Sequence, residues 1–309
     1  MRTIATFNLC NLGADAPRER LVRLGAIIAG ELGGPDVIAL QEVMAVSPAT
    51  GPVPADGAYR ALIAAITAAG GPEYAFREVP PLAHRDGGMA GANIRVGLLF
   101  DPARVEFVDR GCAGPEDRVG IRFSDRQPRL TLNPGRIEPG HPAFAGDDHH
   151  HWVPSRKALA AEFLVGEQPL FVIACHFKSM RSATRREEDY AKQQRHAQAV
   201  IVHDFAADLL ACNPQAAMVI LGDMNDVPGS KTLKLLKGEQ FFNLLEDLPH
   251  GQCYTRRHGD QPQALDHILV SPALRRGATV RIAHINSDVA PGHPEPAIDH
   301  DPVVATLPM

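Results

Sequence analysis

Short apolar runs with the two-residue alternation of buried strands are interleaved along the chain with longer segments whose apolar positions recur every three or four residues. Residues 2–8 open as a strand, with Ile4 and Thr6 alternating against small and aromatic neighbours and Asn8 at its end. Pro17 begins a helical pattern through Leu21, Leu24, Ile27, Ile28 and Leu32, with Asp15 placed to cap it and Gly33-Gly34 to stop it. The pattern then predicts a strand over 36–43, a helix over 59–69 and strands over 74–79, 95–100 and 105–109. Between 110 and 155 it fails, and the turn signals of NPGRIEPGHP imply a long excursion with room for one hairpin. Strands return over 158–165 and 169–175, followed by a helix over 184–211 with Ala197, Val200, Ile201, Phe205 and Leu209 on one face, and a strand over 216–221. A short helix over 231–236 and strands over 265–270, 278–283 and 303–307 complete the chain. Alternating strands and helices predict an α/β fold. There is no internal repeat and no linker-like seam, and one large domain or two ordinary ones would fit the length.

Composition narrows this only a little. A chain of 309 residues that is 45% hydrophobic and 22% charged builds a large core without help from disulfides. Its five cysteines have no C-x-x-C spacing and an odd count, so reduced thiols are expected. No apolar stretch approaches the ~18 residues of a membrane span, and MRTIATFNLC has no secretory apolar region. A cytoplasmic address is expected, or a secreted or periplasmic one if a leader has been trimmed. The net charge of −5 repels a polyanion overall, so a nucleic acid partner needs a local basic patch or a metal.

The polar residues that stand out share one position, ending or interrupting an apolar strand run. Val37 to Leu40 leads to Gln41-Glu42, Phe171 to Cys175 leads to His176, and Met218 to Leu221 leads to Gly222-Asp223-Met224-Asn225-Asp226. Strand ends are where sites gather in α/β sheets. Asp266 and His267, and likewise Asp299, His300 and Asp301, interrupt runs that otherwise read as buried, where a charge needs a partner or a metal. Singly, each has a plain structural role open to it: Glu42 as a solvated strand end, His176 as a hydrogen-bonded core histidine, Asp223 as a turn cap. Together, Glu42, Asp223, Asn225, Asp266 and Asp299 offer oxygen ligands suited to magnesium or manganese. No thiolate cluster or His-x-x-x-His spacing suggests zinc.

TFNLCNL with Asn8, IALQEV with Glu42, CHFKS with His176 and Lys178, LGDMND with Asp223 and Asn225, ALDHILVS with Asp266, and IDHDPV with Asp299 and His300 follow one another in a telling order. They resemble the successive motifs of the endonuclease/exonuclease/phosphatase superfamily, the DNase I-like group, over nearly the whole chain. NPGRIEP, SRKALAAEF and HFKS are most similar to its bacterial nuclease-like branch. The resemblance implies a four-layer α/β sandwich of two packed sheets flanked by helices, with residues 1–309 forming one domain rather than two. It also implies a metal-dependent phosphoesterase, using magnesium or manganese, that hydrolyses DNA or RNA by water attack at phosphorus. Carried over by position, it makes Glu42 a metal ligand, sets Asn8 at or near the metal, and makes Asp299 a second metal or water contact. Asp223 would orient and deprotonate the water, Asn225 and His176 would contact the phosphate, and His300, oriented or charged by Asp266, would bond a non-bridging oxygen. Phosphoryl transfer needs this kind of charge neutralisation and placement of water more than it needs a covalent nucleophile. Cys10 stands where abasic-site endonucleases of the superfamily have an acid, and Ile298 where many relatives have Ser. The loops over 84–91 and 110–155 are the expected substrate selectors.

Some signals stay open. His149, His150 and His151 read as a metal site or as a solvated loop. Lys178, Arg181, Arg185, Arg186, Lys192 and Arg195 read as a track for a phosphate backbone or as a helix face with i,i+4 pairs. Arg156 could reach a phosphate or pair with a surface acid. The acidic net charge and single Trp keep a small phosphoester substrate, an inositol phosphate or lipid headgroup, beside nucleic acid. A catalytically silent binding protein would be expected to have lost Asp223, Asn225 or His300, and all three are present. A calcineurin-like reading of Gly222-Asp223-Met224-Asn225-Asp226 lacks the Asp-x-His and Gly-Asn-His that go with it. No obligate protein partner is inferred.

Overall fold

Alternation gives each long strand two apolar faces, so each sheet has to be covered on both sides. In the computed structural model, which describes residues 1–46, 51–83, 85–88, 91–124, 127–140, 158–259, 261–287 and 298–309, this produces three apolar layers. Along the strand Gln168–His176, Leu170, Val172 and Ala174 face inward, where Ile4, Val37, Ala39 and Leu98 of the other sheet meet them. Phe171, Ile173 and Cys175 face outward onto Ala199, Val202, Ala206 and Leu209 of the helix Arg185–Cys212. On the far side of the molecule, Ala5, Phe7 and Leu9 pack on Leu24 and Ile28 and on Leu62 and Ile66 of the helix Asp56–Ala68. Helix, sheet, sheet and helix are thus the four layers of a DNase I-like α/β sandwich.

The first sheet runs Thr279–Ile282, Val303–Leu307, Arg2–Leu12, Val37–Val46, Ala92–Phe100, Ala75–Arg77. The second runs Phe242–Asn243, Asp266–Val270, Ala217–Asp223, Gln168–His176, Leu159–Val165, Glu106–Phe107, with Gly135–Arg136 paired to Leu159–Val165. Each sheet has a parallel pair near its middle, Arg2–Leu12 with Val37–Val46 and Gln168–His176 with Ala217–Asp223. A parallel pair needs a crossover, and here the helices Arg18–Ala26 and Arg185–Cys212 supply it. The polar C-terminal ends of these two pairs come together at one end of the sandwich.

Several expectations are revised. Asp15 caps nothing: Pro17 holds the N-cap position, and the helix passes at Ile27 into a π-turn, Ile27–Glu31. The strands expected over 74–79 and 105–109 shrink to Ala75–Arg77 and Glu106–Phe107. The excursion after 110 contains the hairpin Ile121–Ser124 with Gln127–Leu130. It is tied to the second sheet by Glu162, a fully buried carboxylate that accepts from Arg110, Arg129 and the Leu130 backbone. The long helix keeps Ile201, Phe205 and Leu209 of the expected face on the core, but Val200 is exposed, and Gln194, Arg195 and Gln198 are buried with Ala191, Ala199 and Val202. His149, His150, His151 and Arg156 lie outside the described residues. Among the described residues no helix is long and apolar enough to cross a membrane.

Candidate active site

Three functional side chains occupy one rung of the second sheet. His176 is in register with Asp223 on one side, and Asp266 is in register with Asp223 on the other. All three share the inward parity of Val172, Val219 and Ile268, so they lie where the core between the sheets opens to solvent. Gly222 is required just before Asp223: its φ is +143°, and a Cβ there would stand 2.0 Å from the Cys175 carbonyl oxygen.

The first sheet contributes through bulges. Asn8 pairs with Gln41 and Leu12 with Val43, so two extra residues bulge from the first strand, and Cys10 (φ +44°) and Asn11 (φ +57°) are left-handed there. Between Leu40 and Val43 the second strand carries one extra residue relative to Gly97 and Arg95, and Glu42 (φ +57°) is turned by it toward the cleft. Asn225 is left-handed as well, at φ +50°. Four of the six described non-glycine residues with positive φ thus line one cleft, and strain of this kind persists where the surroundings fix it for function.

The cleft holds about 310 Å³ and is lined by Cys10, Asn11, Glu42, Gly88, Ile94, His176, Lys178, Ser179, Arg181, Asp223, Asn225, Arg256, Asp299 and His300. A larger groove of about 1060 Å³ runs beside the helix Asp56–Ala68, but its lining includes no histidine. Across the cleft, the Asn8 Nδ2 donates to Asp223 Oδ2 at 3.0 Å and to Glu42 Oε1 at 3.4 Å, while its Oδ1 accepts from the Cys10 backbone at 2.9 Å. Asn8 is therefore a brace between two carboxylates. The Asn11 backbone donates to Glu42 Oε2 at 3.1 Å. His176 Nε2 sits between the same acids, 3.6 Å from Asp223 Oδ2 and 3.8 Å from Glu42 Oε1.

Asp223 Oδ1 accepts from the Asn225 backbone at 2.8 Å, and Asn225 Nδ2 spends one hydrogen on the Phe177 carbonyl at 3.1 Å, leaving its second. Burial, and next the charge of Asp266, push the Asp223 carboxyl up to about 7. Asp266 Oδ2 lies 2.7 Å from His300 Nδ1 and accepts from the Thr255 hydroxyl at 2.7 Å. Burial works against charge on His300, but the charge and hydrogen bond of Asp266 outweigh it and raise the imidazole to about 9. Asp223, Asp266 and His300 offer ligand atoms within 4.8 Å of one another. Asp266 Oδ2 is engaged by Thr255 and His300, while its Oδ1 is buried with no hydrogen-bond partner among the described residues, so the cluster is a hydrogen-bonded acid–imidazole pair beside a carboxylate.

Asp299 is held differently. Arg256 Nη2 bonds its Oδ2 at 2.7 Å, and burial together with the charges of Asp299 and Glu42 pushes the nearby Cys10 thiol up to about 11. Glu42 also faces the cleft with an exposed edge, 20% accessible against 43% for Asp299, and is aimed by Asn8 and Asn11 without a basic side chain paired to it as Arg256 is to Asp299. Hard oxygen and the absence of a thiolate fit a magnesium-like cation there. Other acids and imidazoles take structural roles. Asp226 bonds Arg195 and Thr232, Asp301 accepts three consecutive backbone N–H groups from Ile285 to Ser287, and buried His267 bonds the Asp226 carbonyl.

The basic stretch divides in two. Lys178 and Arg181 line the cleft, whereas Lys192 pairs with Glu188, and buried Arg195 donates to the Lys178 and Ser179 carbonyls. Thr255 and Arg256 enter the site without a sequence signal of their own, because their partners lie 11 and 43 residues away. The hint was a polar turn, HGDQ, placed just before the ALDHILVS strand.

Strand-end carboxylates, an acid-held imidazole and an accessible glutamate gather at the open end of the double-sheet sandwich. The chain belongs to the Endonuclease/Exonuclease/phosphatase family, whose model matches residues 5–288. Its fold is similar to an endonuclease/exonuclease/phosphatase family protein from Leptotrichia buccalis at 14% identity and TM-score 0.60, covering 100% of both chains. It is also similar to truncated Caenorhabditis elegans TDP2 at 14% identity and TM-score 0.58, covering 99% of this chain and 97% of that one. D. rerio TDP2, solved with a single strand DNA product, is 17% identical with TM-score 0.57, covering 100% and 99%. At such identities the likeness shows the fold alone. Among curated proteins no sequence matches the chain.

Proposed function

We propose that the protein is a metal-dependent phosphodiesterase that hydrolyses DNA or RNA. The observation that carries the reading is the rung His176–Asp223–Asp266, with His300 held by Asp266 and Glu42 facing Asp223 across the cleft. Asp223 is the base: it takes a proton from water as the water oxygen joins phosphorus and the ester P–O bond breaks, the leaving oxygen being protonated from solvent. His300, with Nδ1 committed to Asp266, has Nε2 left for a non-bridging oxygen, and its raised pKa keeps it cationic at neutral pH. The second hydrogen of Asn225 Nδ2 and the ring of His176 hold the same phosphate. A magnesium or manganese ion, held through Glu42, would neutralise charge on the phosphate oxygens.

The D. rerio relative with its single strand DNA product supports nucleic acid as the substrate class. The test is a screen of plasmid DNA, single-stranded DNA, RNA and phosphomonoesters in magnesium and in manganese. Hydrolysis of at least one nucleic acid is expected. Turnover confined to phosphomonoesters would replace this reading with the small-phosphoester one.

A further inference from the structure

Cations flank the reacting groups on two sides, and they come from opposite neighbours of the central strand. Asp223 has His176 in register on one side and Asp266 on the other. Beyond His176 the chain continues through Lys178, Ser179 and Arg181, all in the cleft wall. On the other side, the Thr255 hydroxyl bonds Asp266, and the next residue, Arg256, lines the same cleft. With neighbouring strands ~4.8 Å apart, the two anchor points lie about 10 Å apart across Asp223.

Both flanks are preorganised. The 178–181 turn is pinned from below: the Lys178 backbone N–H bonds Gln198 Oε1 at 2.8 Å, and Arg195 Nη1 donates to the Lys178 and Ser179 carbonyls. This accounts for the burial of two polar residues, Arg195 and Gln198, in the long helix. Arg256 is oriented by its bond to Asp299 but not satisfied by it, since its Nε–H is buried without a hydrogen-bond partner among the described residues. A guanidinium with one donor engaged and another unmet, in the wall of a phosphate cleft, suits a second anionic oxygen.

We propose that Lys178 with Arg181 on one flank, and Arg256 on the other, are two phosphate subsites either side of the scissile phosphodiester. The enzyme thereby selects internal phosphodiesters of a polynucleotide strand over terminal and isolated ones. This inference rests on the phosphodiesterase reading above and adds to it the position at which the strand is cut.

The test uses four dinucleotides that share one internal phosphodiester: with no end phosphate, with a 5′-phosphate, with a 3′-phosphate, and with both. Wild-type protein in magnesium should gain on the order of tenfold in kcat/KM from each end phosphate, the worth of one charge-assisted contact. Arg256→Gln should abolish the gain from one end phosphate and leave the other, Arg181→Gln should do the reverse, and Arg256→Lys should keep part of what Arg256→Gln loses. Residual cleavage of the unphosphorylated dinucleotide by each variant shows that it is folded. Equal kcat/KM on all four substrates, or an Arg256→Gln loss that is the same on all four, would overturn the subsites while leaving the phosphodiesterase standing. Failure of wild-type protein to cut any dinucleotide, plasmid DNA, single-stranded DNA or RNA would remove the reading beneath both.

Discussion

Asp266→Asn keeps the size of the side chain and deletes one negative charge 2.7 Å from the His300 ring. His300 is raised from an ordinary value of about 6.5 to about 9 against the effect of its own burial, and Asp266 is the main reason. Removing an adjacent charge of this kind moves a pKa by roughly 1 to 3 units, so the His300 transition should fall to near 7. Asp223 responds in the same direction, because Asp266 is the largest charge raising it. In a pH profile of kcat/KM, both limbs should therefore move toward acid, with the plateau reduced by roughly 10²- to 10⁴-fold. Stability gives an independent readout. A histidine raised in the folded state contributes stability that is complete below pH 6.5 and is lost as pH rises through about 9, here worth roughly 3 kcal/mol at most. The melting-temperature deficit of Asp266→Asn should accordingly be larger at pH 6 than at pH 10. Combined with His300→Ala, Asp266→Asn should add little further loss, since the two groups act as one unit. An alkaline limb still at about 9 in Asp266→Asn, or a double loss equal to the product of the single ones, would refute the coupling.

Glu42→Gln should weaken magnesium binding by calorimetry at least tenfold and lower the melting temperature by a few degrees, since the Gln carbonyl can accept from only one of the Asn8 and Asn11 donors and its amide nitrogen faces the other. Arg185→Ala with Arg186→Ala, on the exposed first turn of the long helix, should flatten the salt dependence of nucleic acid binding by less than one unit of log–log slope per charge, while Arg181→Ala should alter kcat/KM as well. Arg195→Ala should cost about 2 to 3 kcal/mol in urea unfolding, because it removes the ion-pair partner of half-buried Asp226 and leaves two loop carbonyls without their donor.

The layers and the rung were legible in the sequence because a period of two carries parity along a strand: once Val172 and Val219 face the core, His176 and Asp223 must share that side at the strand ends. The bulges at Cys10–Asn11 and Glu42 were not legible. They invert parity through left-handed backbone that no glycine announces, and parity alone would turn Glu42 to the outer face. The long helix misled for a related reason. Hydrophobicity pointed correctly to Ile201, Phe205 and Leu209 but also to Val200, which is exposed, and it passed over Arg195 and Gln198, whose burial rests on hydrogen bonds to a loop distant in sequence. Arg256 was invisible in the same way, its role depending on Asp299 across the cleft.

The central claim is that Asp223 activates water beside a cation held through Glu42. Single-turnover cleavage of a labelled oligonucleotide by wild-type protein and Asp223→Asn, each in chelator and then in saturating magnesium, tests it most directly. The account predicts silence in chelator for both, recovery in magnesium for wild type alone, and a rate in Asp223→Asn lower by roughly 10²- to 10⁴-fold with substrate affinity unchanged. Wild-type cleavage rates in magnesium-loaded Asp223→Asn, or full wild-type activity in chelator, would contradict it.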